Sequence, residues 1–192
     1  MPLETVTVCY TMISPQDAAL IRPTMCQMLA AAQSGKGVYT SEYGATDPAF
    51  FDALIAAHTK GCILKGVFDK TQSAGRVEAV QLTRFKAQVP FAECYRVGTS
   101  SVAGQILHLK LIMINVPLTP DQVPIPKQYN HWTDAAQDGY PVVWDGSYNI
   151  SMSAEEQSNV VHIMPGIDLC QACKTDIDQD WDWIDQHEQA AS

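Results

Sequence analysis

The sequence predicts an α/β fold whose strands are covered by helices. Three observations predict it. In the first third of the chain, runs rich in β-branched residues alternate with runs whose apolar residues recur at helical spacing. Residues 106–115 (I-L-H-L-K-L-I-M-I-N) are almost wholly apolar and contain no Gly or Pro, the pattern of a strand covered on both faces. Residues 147–152 alternate Ser147, Asn149 and Ser151 with Tyr148, Ile150 and Met152, the pattern of a strand with one polar face.

Taken in order, residues 4–13 read as a strand by their β-branched content. Ser14 and Pro15 read as a helix cap and first helical position, and that helix extends to Gln33 with a disturbance at Pro23. Residues 38–43 form a second strand. Asp47-Pro48 opens a second helix, with Phe50, Phe51, Leu54, Ile55 and Ala57 on one stripe, and residues 62–68 form a third strand. This β-α-β-α-β order requires crossover connections. A helix over 74–88, an edge strand over 91–97 and a loop over 98–104 lead into the 106–115 strand. Residues 116–145 hold Pro117, Pro120, Pro124, Pro126 and Pro141 and read as a proline-rich insertion, without regular helix or central strand over most of its length. Its Tyr129, His131 and Trp132 suit stacking on a base or docking a partner; a packed surface excursion is the other reading. Residues 159–164 form a strand, and 168–189 an acidic C-terminal helix whose acids read as a solvated face.

At 192 residues the chain is expected to be a single domain, 1–192. A hydrophobic share of 46% and a charged share of 17% are those of a soluble globular protein. No apolar run reaches membrane-spanning length, so no membrane role is expected. No basic region precedes an apolar core at the N-terminus, and the six cysteines are scattered, which fits a reducing cytoplasm. Cys170 and Cys173 have C-x-x-C spacing without a second pair or a nearby His, so they read as two thiols on a helix. The net charge of −9 excludes a basic nucleic-acid coat. Most of it is local: residues 167–192 carry seven acids against one lysine, a net of −6.

The residues that carry chemistry lie in the two central stretches. In a strand, His108 and Lys110 share a face, a nucleophile or base beside a fixed cation. A core histidine beside a snorkelling lysine is the other reading. Opposite them, the small polar face of 147–151 offers hydrogen-bond donors. That combination suits a phosphodiester: neutral imidazole attacks phosphorus while Lys and amide donors neutralise the charge growing on the oxygens. No cofactor is called for, and no carboxylate cluster or Cys/His set is spaced for a metal, so metal-independent chemistry is expected.

H-x-K at 108–110, G-S-x-N at 146–149 and D-K-T-Q…G-R at 69–76 together resemble the phospholipase D superfamily, most closely its small single-motif nuclease-like phosphodiesterases. The resemblance implies an α/β/α sandwich with a mixed sheet flanked by helices. It implies hydrolysis of nucleic acid, DNA or RNA, through a covalent phosphohistidine. A second His would protonate the leaving oxygen. Single-motif members take that His from a twofold-related subunit, so a homodimer with the site at its interface is implied. By position His108 is the nucleophile or acid, while Lys110, Ser147 and Asn149 hold the phosphate. Asn115 stands where the motif has Asp, and by strand parity points away from the His108 face. The related nucleases carry a Glu just before an Asn in the strand after G-S-x-N. Here the pair is Ser158-Asn159, so Glu155 or Glu156 would have to substitute. The alternative to the enzyme is therefore a catalytically weakened relative that serves as a nucleic-acid- or protein-binding scaffold, with residues 116–145 the candidate partner segment.

Overall fold

A computed structural model of the chain describes residues 10–14, 16–100 and 107–188. In chain order the elements are β1 (Tyr10–Ser14), α1 (Ala18–Ala31), β2 (Gly37–Glu42), α2 (Pro48–Thr59), β3 (Ile63–Asp69), α3 (Lys70–Ser73), α4 (Arg76–Lys86), α5 (Phe91–Cys94), β4 (Tyr95–Gly98), β5 (Lys110–Val116), α6 (Trp132–Gln137), β6 (Val142–Gly146), β7 (Asn159–Pro165) and α7 (Ile167–His187). The strands form one sheet in the order β1-β7-β6-β5-β2-β3-β4. β2, β3 and β4 are parallel; every other neighbouring pair is antiparallel. The sheet is mixed, as the sequence resemblance implied.

Two apolar layers sandwich it. On one face α1, α2, α4 and α6 bury Ile21, Met25, Phe50, Phe51, Phe85 and Trp132 against Ile112 and Ile114 of β5. On the other face α7 packs Cys170 and Ile177 against Leu111 and Met113, and Trp181 and Ile184 against Val67. The side chains of Leu111 to Ile114 thus enter opposite layers in turn, and all seven residues of β5 are buried.

Several expectations need correction. α1 starts at Ala18, past Asp17, whose carboxylate accepts the Ile13 N–H at 2.8 Å and ties strand to helix. It continues through Pro23 without a break. Only Tyr10–Ser14 of the first strand falls within the described residues, as do only the first residues of the 98–104 loop. The predicted edge strand over 91–97 is a helical turn, α5, followed by β4.

The larger correction concerns 116–145. Its second half is not an excursion. β6 is a central strand between β5 and β7, and Trp144 is 1% exposed. Only five residues long and entered from Pro141, β6 is masked in the sequence by the prolines before it. Trp132, the first residue of α6, is buried, so its ring is not free to stack on a base, and Tyr129 is half-buried against Tyr140. His131 caps α6, its Nδ1 accepting the Thr133 N–H.

α7 also departs from the expectation of a solvated acidic face. Asp178 binds Lys65 and Lys174, Asp185 binds Arg96, and Glu188 accepts the Thr99 N–H and binds Lys70. These three acids dock the helix on the sheet, while Asp168, Asp176 and Asp182 are exposed as expected.

Candidate active site

The sheet brings the motifs to one end. β5 begins at Lys110, so His108 and Leu109 precede the strand and are exposed, while Lys110 is 4% exposed. The expected pairing survives this change in backbone. Lys110 Nζ lies 3.1 Å from His108 Nε2 and donates to the His108 carbonyl at 3.0 Å.

Three residues hold the segment before β5. The Asp69 carboxylate, at the end of β3, accepts the Leu107 N–H at 2.8 Å and caps α3 through the N–H groups of Thr71 and Gln72. Gln72 donates to the Tyr43 hydroxyl at 3.0 Å. The Tyr43 ring lies 4.7 Å from the His108 ring, and Lys110 Nζ sits 4.9 Å above it. The D-K-T-Q motif thus works as a brace: its Asp holds the chain beside His108, and its Gln holds the ring against which His108 rests. Tyr43 was not picked out from the sequence, since its role follows only from its cross-strand neighbours.

The second motif leaves the sheet earlier than expected. The chain departs after Gly146, so 147–151 is a loop, not a strand, and Met152 opens a 3-10 turn. Gly146 is required there: a Cβ on it would lie 2.1 Å from the Val160 carbonyl oxygen. Ser147 donates to Asn159 Oδ1 at 3.2 Å and accepts the Val160 N–H at 3.0 Å, so its hydroxyl fastens the loop to β7. Ile150 then bridges to Ala45, and its N–H donates to the Gly44 carbonyl. This docks the loop on the turn that follows Tyr43. Asn149 Oδ1 is buried and accepts no hydrogen bond among the described residues. Leu111 pairs with Asp145, so Gly146 and Ser147 lie beside the Lys110 end of β5.

Asn115 and Ser158 lie elsewhere. Asn115 sits at the far end of β5 in a bulge, with φ +56. Its Oδ1 accepts the Gln33 N–H, and its amide donates to the carbonyls of Ala136 and Tyr140. The bulge breaks the parity that the sequence implied: the side chain turns toward α1 and α6, not the α7 layer. Ser158 is exposed and just precedes β7. The Glu155 side chain lies outside what is described, and Glu156 is exposed.

Two acids absent from the sequence reading lie inside the site. Glu42 pairs with Lys110 across β2 and β5 and is fully buried. Burial pushes its carboxyl well above the usual range, Lys110 pulls it back and Glu78 adds to the rise. Burial lowers the Lys110 ammonium, against the pull of Glu42. Glu78 accepts the Ala45 N–H and the Ser73 hydroxyl, and burial pushes it up to about 7. A charged residue inside the apolar-flanked stretch 38–43 was the available signal. On the α7 side His108 borders a cleft of about 330 Å³, which Asp176, Gln179 and Asp180 line. Its carboxylates disfavour a polyanion there. Burial pushes Cys170 up to about 12 and Cys173 to about 11, so neither thiol is ionised at neutral pH.

Known proteins agree with this architecture. A family model described as cardiolipin synthase, PLD-like domain, matches residues 25–181. The chain belongs to the phospholipase D-like family. Among solved structures it is similar to Nuc, a phospholipase D family member from Salmonella typhimurium, with a TM-score of 0.63 and 20% identity over 91% of this chain and 93% of that one. It is also similar to NucT from Helicobacter pylori, with a TM-score of 0.64 and 13% identity over 90% and 94% of the two chains. TrmBL2, an archaeal chromatin protein whose structure shows a novel mode of DNA binding, gives 0.52 and 12% over 90% and 52%. No curated protein sequence matches significantly.

Proposed function

We propose that the protein is a phosphodiesterase that cleaves nucleic acid without a metal, with His108 as nucleophile and Lys110 as the phosphate-binding cation. The observation that carries this reading is the 3.1 Å approach of Lys110 Nζ to His108 Nε2 at the sheet end where the G-S-x-N loop docks. In the free protein Lys110 occupies the nitrogen that would attack. An arriving phosphate offers the ammonium a better acceptor and frees Nε2. Nε2 then bonds to phosphorus as the P–O bond to the leaving oxygen breaks. That oxygen takes a proton from the second His, and water later cleaves the P–N bond and returns His108. The second His belongs to a homodimer partner in this account. Family membership and the likeness in fold to Nuc and NucT support the reading.

A second reading has its own support. The Ser147 hydroxyl is engaged by Asn159, residue 158 supplies no carboxylate, and the cleft beside His108 is acidic. These features suit a weakened relative that binds nucleic acid or protein as a scaffold, and the likeness to TrmBL2 puts a DNA-binding protein on the same fold. Incubation with single- and double-stranded DNA and RNA in EDTA separates the two. Cleavage that His108→Ala abolishes supports the enzyme; substrate bound and left intact by the wild type supports the scaffold.

A further inference from the structure

Glu42 faces Lys110, and through it His108, from across the sheet. It ends β2 directly opposite Lys110 on β5. Opposed residues of an antiparallel pair project from the same face, with Cβ atoms about 5 Å apart. Glu42 is wholly buried, and neither carboxyl oxygen has a hydrogen-bond partner among the described residues. The Lys110 ammonium leans instead on His108. An unsatisfied buried carboxyl is costly, and such a group in a native fold requires a reason. We propose that Glu42 is a positioning residue: its carboxyl, sealed across from Lys110, sets the charge and reach of the ammonium and so the state of His108, the part that residue 158 does not play here.

The charged and titratable groups acting on Glu42 are Lys110 from β5, Glu78 from α4 and Tyr95 from β4. Lys110 is the only cation of the three. With Glu42 protonated, Lys110 carries an uncompensated charge that a phosphate oxygen can take. With Glu42 ionised, the ammonium is drawn back into the sheet, away from His108. Glu42 and Lys110 therefore titrate as a pair. This inference rests on the phosphodiesterase reading for its purpose, but the coupling itself is measured without substrate, so a protein that cleaves nothing still gives an answer.

The test is an NMR titration of His108 in protein carrying ¹³C-labelled histidine, across the whole pH range in which the protein stays folded. Wild type, Glu42→Gln and Lys110→Met are compared. The wild-type His108 signal is expected to report a further step beyond its own, the ionisation of Glu42. Glu42→Gln removes that step. Lys110→Met moves it upward by about one pH unit or more, a tenfold gain in proton affinity. Superimposable His108 curves in wild type and Glu42→Gln would overturn the assignment and leave Glu42 a core residue. Should Glu42→Gln fail to fold, the other two proteins decide: a single step in the wild type, or a second step that Lys110→Met leaves in place, overturns it.

Discussion

Asn115 shows how one residue's identity follows from its neighbours. The family motif has Asp at this position, yet here the side chain must donate twice, to the carbonyls of Ala136 and Tyr140, while accepting from Gln33. A carboxylate can accept but cannot donate, so an Asp would set its charge against two carbonyl oxygens in a fully buried place. Asn115→Asp should therefore lower stability by about 3 kcal/mol or more, read as a shift in the urea midpoint. A change below about 1 kcal/mol would mean that the two carbonyls find other donors. The site at the other end of β5 is affected only through stability. Spacing along the chain puts Asn115 on the face away from His108; the bulge at φ +56 undoes that parity, and no sequence pattern announces it.

At the scale of elements, α7 closes the second face of the sheet. Trp181 lies between Lys65 and Arg96, with centroid distances of 4.9 and 4.0 Å, and Asp178 and Asp185 pair with the same two cations. Trp181→Ala should cost about 3 kcal/mol, from lost burial and a cavity over β3. Denaturant unfolding checks this, and an effect near zero would show that α7 is held by its ion pairs alone. The helix itself was legible, because Ile177, Trp181 and Ile184 recur at helical spacing. So were α2 and the buried character of β5, each from a long uniform pattern. β6 and α6 were not, being five and six residues long and preceded by prolines that suit a loop. The His108–Lys110 pair was legible because its two residues are neighbours in the chain. The parts played by Tyr43, Glu42 and Gln72 were not, since each depends on which strands lie side by side.

Across the whole molecule, two buried acids, Glu78 and Glu42, weigh on stability between mild acid and neutral pH. Glu78 is 2% exposed and its carboxyl is pushed from 4.5 to about 7. A raised carboxyl favours the folded state fully below the unfolded value, and that contribution is lost as pH rises through the folded value. The loss therefore runs from 4.5 to about 7 and amounts to roughly 3 kcal/mol at most. Glu42 is raised in the same direction and adds to the loss. The melting temperature should thus be highest in mild acid and fall toward neutrality, and Glu78→Gln should flatten that slope. A protein that instead gains stability from mild acid to neutral pH would contradict the assignment of these acids.

The proposed function rests on His108 attacking phosphorus. The measurement that tests it most directly is capture of the covalent intermediate. The protein is mixed with an aryl phosphodiester in EDTA, quenched into base, where phosphohistidine survives, and weighed by mass spectrometry. The account predicts an adduct one phosphoryl ester heavier than the protein, mapped to the peptide bearing His108 and absent from His108→Asn. Turnover that persists in His108→Asn, or an adduct on any other residue, would contradict it.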